Sequence, residues 1–153
     1  MPDNFVDTVV IGAGAAGLVS SIIFAGGHGE VVLIEQDKMG GDCLNTGCIP
    51  SKSLIRSARL MFDLNRASEF GIEVGEQKLN FGKVMERIEK VIKSIEPHDS
   101  PERLASLGVK CIKGSAKIES PYLVSVNGKT ISTRTIIVAT GASPMLPPIH
   151  GLE

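Results

Sequence analysis

The sequence predicts an α/β fold in which helices flank a mainly parallel sheet, with a small antiparallel β-meander added to it. Two short apolar runs rich in β-branched residues, 5–11 and 31–34, are separated by one helical segment, which is the order of a βαβ unit. A third run, 135–139, follows late in the chain. Before it, Asn127-Gly128 separates two alternating runs, which is typical of a tight β-hairpin.

Composition excludes several classes of function. The chain has 153 residues, 42% of them hydrophobic, and a net charge of −1. This length suffices for one domain with a core, and the charge gives no reason to expect nucleic acid or an anionic membrane as a partner. No apolar run approaches the roughly 20 residues of a spanning helix, and the N-terminus lacks the basic start of a secretion signal. We therefore expect a cytoplasmic protein, in which three cysteines do not form a disulfide framework.

The first strand leads directly into a glycine-rich turn and a helix. Gly12 permits a tight turn, Gly14 lets a phosphate approach the backbone, and Gly17 lets the helix pack closely on the strand. The second strand, Val31–Ile34, is closed by Glu35, whose carboxylate is placed to accept hydrogen bonds from a ribose.

This order of strand, GxGxxG, helix, strand and acid predicts a dinucleotide site, in which the helix N-terminus at Ala15 and Ala16 supplies donors to the phosphates. The GxGxxG pattern alone does not distinguish an FAD site from an NAD site. A glycine-rich turn that binds nothing is the alternative.

A second motif carries two cysteines. Residues 40–52 read GGDCLNTGCIPSK, and the segment from Ile49 onward has the pattern of a helix, so that Cys48 stands at a helix N-terminus. The positive end of the helix dipole favours a thiolate there, and thiolate is the form that attacks disulfides. Cys43 is close enough in sequence to bridge to Cys48.

The cysteine motif resembles the redox-disulfide signature of the pyridine nucleotide-disulfide oxidoreductases. The segment TIIVATGASPMLPPIHG resembles the second flavin-side motif of the same family, and Gly114-Ser115-Ala116 matches the stretch whose backbone lies against the adenine. A glycine that only allows close strand packing is the alternative reading of the latter. The resemblance runs from about Phe5 to the last residue.

The resemblance implies a Rossmann-like FAD-binding domain and assigns roles to its residues. Cys43 and Cys48 form the redox-active disulfide, with Cys48 next to the flavin and Cys43 meeting the substrate, while the Lys52 cation lies near the flavin ring. The residues implied to bind FAD are Gly12, Gly14, Ala15, Ala16, Gly17, Glu35, Gly41, Asp42, Lys52, Ser115, Ala116, Ala139, Thr140 and Gly141.

The resemblance also implies a larger enzyme. NAD(P)H reduces the flavin, the flavin reduces the disulfide, and the dithiol exchanges electrons with a small-molecule disulfide, a thiol or a metal ion. We expect residues 1–153 to be the partial FAD-binding domain of a homodimeric parent, without the NAD(P)H-binding and dimer-interface domains, and inactive alone. Asp42 and Thr46 vary on the family theme, and the 97–103 segment departs from the dihydrolipoamide dehydrogenase pattern and looks more like the mercuric reductase-like branch. Both branches remain open, with dihydrolipoamide, glutathione and mercuric ion as possible substrates.

The middle of the chain is expected to support this site. A helix continues beyond Lys52, and a second one begins near Asn80 with an apolar stripe that we interpret as core. Ser100 and Pro101 predict the start of a short helix, and residues 109–118 predict one strand. That strand carries Cys111, for which we expect a buried, inert thiol.

Two alternatives to the redox reading remain. Cys43 and Cys48 could bind a metal, but a pair without a second pair or a nearby histidine gives too few ligands for structural zinc, and we expect no metal site. The chain could instead be a non-catalytic nucleotide-binding module. His98 lies in a helix break, where a turn or capping role is expected.

Overall fold

A computed structural model describes residues 5–152; Met1–Asn4 and Glu153 lie outside the described residues. The strands are β1 Phe5–Ile11, β2 Val31–Glu35, β3 Val109–Lys113, β4 Ala116–Ser120, β5 Leu123–Val126 and β6 Lys129–Val138. The α-helices are α1 Ala15–Gly26, α2 Gly41–Asn45, α3 Cys48–Asn65, α4 Phe81–Ile95 and α5 Pro101–Ser106, and 3₁₀ turns cover Ala67–Phe70 and Glu96–Asp99.

The strands form one sheet in the order β3-β2-β1-β6-β5-β4. The pairs β3–β2, β2–β1 and β1–β6 are parallel, whereas β6–β5 and β5–β4 are antiparallel. The carboxyl ends of four parallel strands therefore meet at one edge, which is where such sheets bind ligands. The predicted fold class, a parallel sheet flanked by helices with an antiparallel meander, is confirmed.

The parallel part of the sheet is covered on both faces. Alternate residues of β2 belong to two separate apolar clusters: Val31 and Leu33 pack with Leu18 of α1, and Val32 and Ile34 pack with the meander. A strand that is buried on both faces is apolar throughout, and this explains the continuous run of four buried residues in β2. The carboxyl ends of the strands remain open to a ligand.

The second strand of the hairpin and the late parallel strand are one element. Residues 129–132 of β6 pair with β5, and residues 132–138 pair with β1, so that the prediction of two separate strands is wrong. Asn127 and Gly128 both adopt positive φ (51° and 73°), as the predicted two-residue turn requires.

The expected strand 109–118 is divided into β3 and β4. Gly114 has φ 159°, and a Cβ there would lie 2.5 Å from Asn127 Oδ1. Its N–H donates to the backbone oxygen of Glu35 at 2.8 Å, which ends the parallel pairing of β3 with β2. After Gly114 the chain leaves β2 and enters the antiparallel meander as β4. The apolar pattern of residues 109–118 does not predict this bend, because the residues before and after it are both strands.

Helices α3 and α4 pack on each other less completely than their apolar patterns predict. Ile88 is buried, but Phe81 and Met85 of the predicted stripe are exposed, so that the interpretation of the whole stripe as core is wrong. The caps are as expected, because the side chains of Asn80 and Ser100 accept from the N–H groups of Lys83 and Arg103 at the starts of α4 and α5. Within residues 5–152, none of the helices has the length and hydropathy needed to span a bilayer.

Substituting Gly17 tests the closest backbone approach in the fold. A Cβ at Gly17 would lie 1.8 Å from the carbonyl oxygen of Gly12. We expect Gly17→Ala to lower the free energy of unfolding by about 3 kcal/mol, since backbone atoms cannot move aside as a flexible side chain can. Urea denaturation measures this.

Gly26→Ala is the matched control in the same helix, because its added Cβ meets nothing within 4 Å. It should leave stability unchanged or raise it by up to about 1 kcal/mol. Equal stability for the two variants would contradict the packing role of Gly17.

Candidate functional site

The glycine turn places free backbone donors at the carboxyl edge of the sheet. Helix α1 begins at Ala15, and its N-cap Gly14 gives no side-chain hydrogen bond to the helix. The first N–H groups of a helix have no partner within it, and the helix dipole makes this end positive. Ala15 and Ala16 are exposed, and the first turn carries no acidic residue. This helix end can therefore bind an anion such as a pyrophosphate.

Close backbone contacts fix the position of that helix end. Gly12 has φ 102°, and a Cβ there would lie 2.3 Å from the carbonyl oxygen of Ala139 at the end of β6. Gly17 is packed on Gly12 in the same way. A Cβ at Gly14, by contrast, would meet nothing within 4 Å. The first and third glycines thus serve packing, while the second leaves space at the edge of the turn.

Glu35 contacts the turn directly. The Ala13 N–H donates to Glu35 Oε2 at 2.6 Å, and the Asp37 N–H donates to Oε1 at 2.8 Å. The carboxylate therefore connects the glycine turn to the end of β2 and to the loop after it. Each oxygen has a second lone pair that can accept a hydrogen bond from a ligand hydroxyl.

The cysteine motif lies against the same turn. The Gly40 N–H donates to the Ala13 carbonyl at 2.9 Å, and a Cβ at Gly41 would lie 2.7 Å from Gly14 Cα. The segment between β2 and α3 contains the short helix α2, on which Cys43 lies. Asn45 supports this helix, since its amide donates to the carbonyl oxygens of Met39 and Gly41.

The two cysteines are neighbours at the junction of α2 and α3. The N–H groups of Thr46 and Gly47 both donate to the Asp42 carbonyl, which turns the chain sharply, and α3 begins at Cys48. Cys48 thus stands at the N-terminus of an 18-residue helix, as the sequence predicts. Both thiols are free in the structure, Cys43 half-buried and Cys48 exposed.

Interactions with its neighbours raise the pKa of the Cys43 thiol. The largest cause is a hydrogen bond with the Cys48 side chain, followed by burial and by the charge of Cys48. The Lys52 cation lowers the pKa, and the Asp99 carboxylate raises it. Cys48 and Lys52 both lie in the first turns of α3, and the Asp99 carboxylate, which the sequence did not connect with this motif, lies beside Gly40.

A cleft of about 560 Å³ joins the glycine turn to the cysteine motif. Most of the sequence-predicted cofactor residues line this cleft, as does one of the two cysteines: Gly12, Gly14, Ala15, Ala16, Glu35, Gly41, Asp42, Cys43, Ala139, Thr140 and Gly141. The described lining does not include Gly17, which packs beneath the turn, or Cys48 and Lys52. The predicted site is thus largely one continuous surface.

Ser115 and Ala116 are not among the described residues that line this cleft. They follow Gly114, whose N–H donates to the Glu35 carbonyl at 2.8 Å, and this bond places them next to the end of β2. They therefore adjoin the Glu35 side of the cleft.

Sequence reasoning missed several lining residues: Gln36, Asp37, Lys38, Asn45, Thr46, Ala142 and Ser143. Those after Glu35 and Gly141 follow the carboxyl ends of parallel strands, and the general rule for such edges could have found them. Thr46 is placed by a contact within the cysteine motif, because its hydroxyl donates to Asp42 Oδ1 at 3.1 Å.

Cys111 is not among the described residues that line this cleft. Cys111 is half-buried, and burial raises the pKa of its thiol, with the Glu102 carboxylate as a second cause. It lines a neighbouring cleft of about 900 Å³ between the β2–β3 edge and helices α4 and α5, and the two clefts share Glu35, Asp37, Lys38 and Asn45. Across residues 5–152, no three His, Cys, Asp or Glu side chains come together as a metal site would require.

Comparison with known proteins decides the family. The model of the pyridine nucleotide-disulphide oxidoreductase family matches residues 6–153. The chain belongs to this family.

Among curated relatives of this oxidoreductase family, a dihydrolipoyl dehydrogenase of Acholeplasma laidlawii is 33% identical over 96% of the chain and 44% of its own length. A mercuric reductase of Lysinibacillus sphaericus is 33% identical over 99% of the chain and 28% of its own length. The chain thus spans less than half the length of these relatives.

The same fold is present in a solved structure of the HOCl-induced flavoprotein disulfide reductase RclA from Escherichia coli. The TM-score is 0.74 at 28% identity, over 94% of this chain and 30% of that one. The fold is therefore the Rossmann-like FAD-binding fold of disulfide reductases, and FAD with NAD(P)H is the cofactor system of the family.

Removing the charge of Glu35 tests its contact with the turn. Glu35→Gln keeps the size of the side chain but replaces one acceptor oxygen with an NH₂ group, which cannot accept from Ala13 or Asp37. We expect a loss of about 1–2 kcal/mol in the free energy of unfolding. Glu30→Gln, an exposed residue just before the same strand, should change stability by less than about 0.5 kcal/mol. If both variants were equally stable, the Glu35 contact would contribute nothing.

Proposed function

We propose that this chain is the FAD-binding part of an NAD(P)H-dependent flavoprotein disulfide oxidoreductase, in which Cys43 and Cys48 are the redox-active pair. The observation that carries the proposal is the single cleft that connects the free helix end at Ala15 and Ala16 to Cys43. This arrangement supports a phosphate site and a reactive dithiol at one edge of one sheet. Membership of the family supports the class of reaction.

The residues of the cleft fit FAD by their chemistry. The N–H groups at the start of α1 suit a pyrophosphate, and the space beside Gly14 allows it to approach the backbone. Glu35 has acceptor capacity left for a ribose hydroxyl. Gly41, Asp42 and the 139–141 turn would border the remainder of the cofactor.

When bound, FAD supplies two-electron exchange between the nicotinamide nucleotide and the disulfide. The chain contributes the pair of sulfurs and their surroundings. Oxidation of the dithiol joins Cys43 Sγ to Cys48 Sγ and releases two electrons and two protons, and reduction reverses this. The two cysteines stand five positions apart at the junction of α2 and α3, close enough along the chain for a disulfide. Lys52, one helical turn beyond Cys48, provides a positive charge that stabilises a thiolate.

For the whole protein we propose a homodimer that continues beyond this chain into NAD(P)H-binding and dimer-interface domains, because the relatives are more than twice as long. A small disulfide, a thiol or a metal ion is the proposed substrate class, since the relatives include both a dihydrolipoyl dehydrogenase and a mercuric reductase. We propose a cytoplasmic location, where a reducing environment keeps such a pair available for turnover.

Filling the space at Gly14 tests the cofactor site. Gly14→Val should keep the fold, because its Cβ meets no atom within 4 Å and its φ of −74° suits any residue. The side chain would occupy the cleft where the pyrophosphate is expected. We expect FAD affinity, measured by quenching of flavin fluorescence, to fall at least about tenfold, while the unfolding free energy changes by less than about 1 kcal/mol.

Gly26→Ala, at the other end of α1, should bind FAD like the wild type. If Gly14→Val bound FAD with unchanged affinity, the glycine turn would not be the phosphate site. Absence of flavin binding by the wild-type protein would contradict the cofactor assignment itself.

Thiol counting tests the redox pair. The chain has three cysteines, and mild oxidation should reduce the titratable thiols of the denatured protein from three to one. Cys111→Ser should fall from two thiols to none, whereas Cys48→Ser should keep both, since Cys43 then has no partner. Titration with a chromogenic disulfide reagent measures each number.

Retention of both thiols in oxidised Cys111→Ser would exclude the Cys43–Cys48 disulfide. In the flavin-loaded protein, a long-wavelength absorption band on partial reduction would further support contact between a thiolate and the flavin.

A further inference from the structure

The helical hairpin formed by α3, α4 and the connection 66–80 carries many apolar side chains on its surface. Residues 54–85 contribute ten of the 21 large apolar side chains that are exposed within residues 5–152, although this segment is only 32 residues long. Six of them are more than half exposed: Ile55, Phe62, Phe70, Ile72, Leu79 and Phe81. Monomeric proteins rarely expose large apolar areas, and such areas mark interaction sites.

The two helices of the hairpin cover each other on one side only. Arg87 of α4 donates to the Ser53 carbonyl of α3 at 3.2 Å, and Ser53 and Ile88 are buried between the helices. Apart from each other, α3 and α4 contact mainly α2 and the 3₁₀ turns that follow them, rather than the sheet. The remaining sides of the hairpin are therefore open to a partner.

The surface area of the chain is large enough for such a partner. The accessible surface is 10746 Å². A folded monomer of 16.2 kDa exposes about 7,500 Å². The difference of about 3,000 Å² exceeds the roughly 1,000–2,500 Å² that each copy contributes to a permanent homodimer. The chain can thus supply one half of a dimer contact and still have surface left for other domains of the whole protein.

One side of α4 presents a continuous apolar stripe. Phe81, Met85 and Ile92 follow one another at spacings of four and seven residues, which places them on the same side of the helix. Phe81 and Met85 are exposed and Ile92 is half-buried. This stripe has no partner from α3, which packs on the neighbouring side of α4 through Ile88.

The charges along α4 are complementary to those of a second α4 that runs in the opposite direction. When a two-fold axis passes between Glu89 and Lys90, three pairs of opposite charge form, each of them twice: Lys83 with Glu96, Glu86 with Lys93, and Glu89 with Lys90. All six residues are exposed. Within residues 5–152, the ion pairs of the structure involve other side chains, so that these charges are available to a second copy.

We propose that the α3–α4 hairpin is a homodimer surface, in which α4 packs antiparallel on α4 of a second copy of this chain. The inference rests on the homodimer proposed above, and it assigns part of the contact to this chain rather than to domains beyond it. In this arrangement Met85 of one copy lies opposite the turn of the other copy that carries Ile92 and Ile95. A two-fold contact uses the same residues on both copies, as the self-complementary charges require.

Sedimentation equilibrium of the 153-residue chain tests the proposal. With a phosphine reductant present, so that no disulfide joins two copies, we expect a dimer of about twice 16.2 kDa in exchange with the monomer at about 10–100 μM. Phe81→Asp places a charge in the apolar contact and should weaken dimerisation at least about tenfold. Tyr122→Asp is the matched control, since Tyr122 is equally exposed but lies in the β4–β5 turn, and it should dimerise like the wild type.

Reversal of two charges identifies the partner as a second α4. Glu86→Lys places two lysines opposite each other at both ends of the contact and should weaken dimerisation at least about fivefold. Adding Lys93→Glu to Glu86→Lys restores both pairs and should return the affinity to within about twofold of the wild type. Circular dichroism checks that each variant keeps its helices.

A chain that stays monomeric at these concentrations overturns the proposal, as does a dimer that Phe81→Asp leaves unchanged. Failure of the double reversal to restore affinity excludes the antiparallel α4 pair. Association beyond the dimer also contradicts it, because a two-fold contact closes on itself. The experiment needs no flavin and no disulfide, so that a monomeric chain that binds FAD and oxidises Cys43 and Cys48 would overturn this inference and leave the proposed function intact.

Discussion

The close approach of three backbone segments is the constraint on which the site depends. Gly12 touches the end of β6 at Ala139, and Gly17 touches Gly12, so that a strand, a turn and a helix meet with no side chain between them. Only residues without a Cβ can fill these positions. Because the contacts set where α1 begins, they also set where its unpaired N–H groups point. The ability to bind an anion therefore follows from packing and requires no charged side chain at the turn.

A second set of contacts connects the glycine turn and the start of α1 to the segment that carries the two cysteines. The hydrogen bond from the Gly40 N–H to the Ala13 carbonyl, and the packing of Gly41 on Gly14, connect the cysteine motif to the glycine turn through backbone atoms alone. Backbone contacts of this kind vary little with side-chain rotamers. A displacement of the turn would displace α2 and Cys43 with it, which gives a physical reason for building both parts of the proposed site at one edge of one sheet.

The sequence predicts those parts of the molecule whose causes are local. The order of strands β1 and β2, the glycine turn, the hairpin at Asn127-Gly128 and the helix start at Cys48 all follow from neighbouring residues. The continuity of β6 does not, because one strand changes partner from β5 to β1 along its length. The division of β3 from β4 at Gly114 depends on a bond to Glu35, which a local pattern cannot reveal. Asp99 is missed as a neighbour of Gly40 for the same reason, since only the packing of the chain brings the two residues together.

The acidic residues of the cleft explain how a chain of net charge −1 can offer a site for a dianionic pyrophosphate. Glu35 accepts two backbone N–H groups and Asp42 accepts the Thr46 hydroxyl, so that each carboxylate is partly compensated by its own dipolar partners. The helix end then acts on the phosphates without a nearby uncompensated acid in its first turn. Dipoles of this kind give a fixed field, which suits the binding of an anionic cofactor.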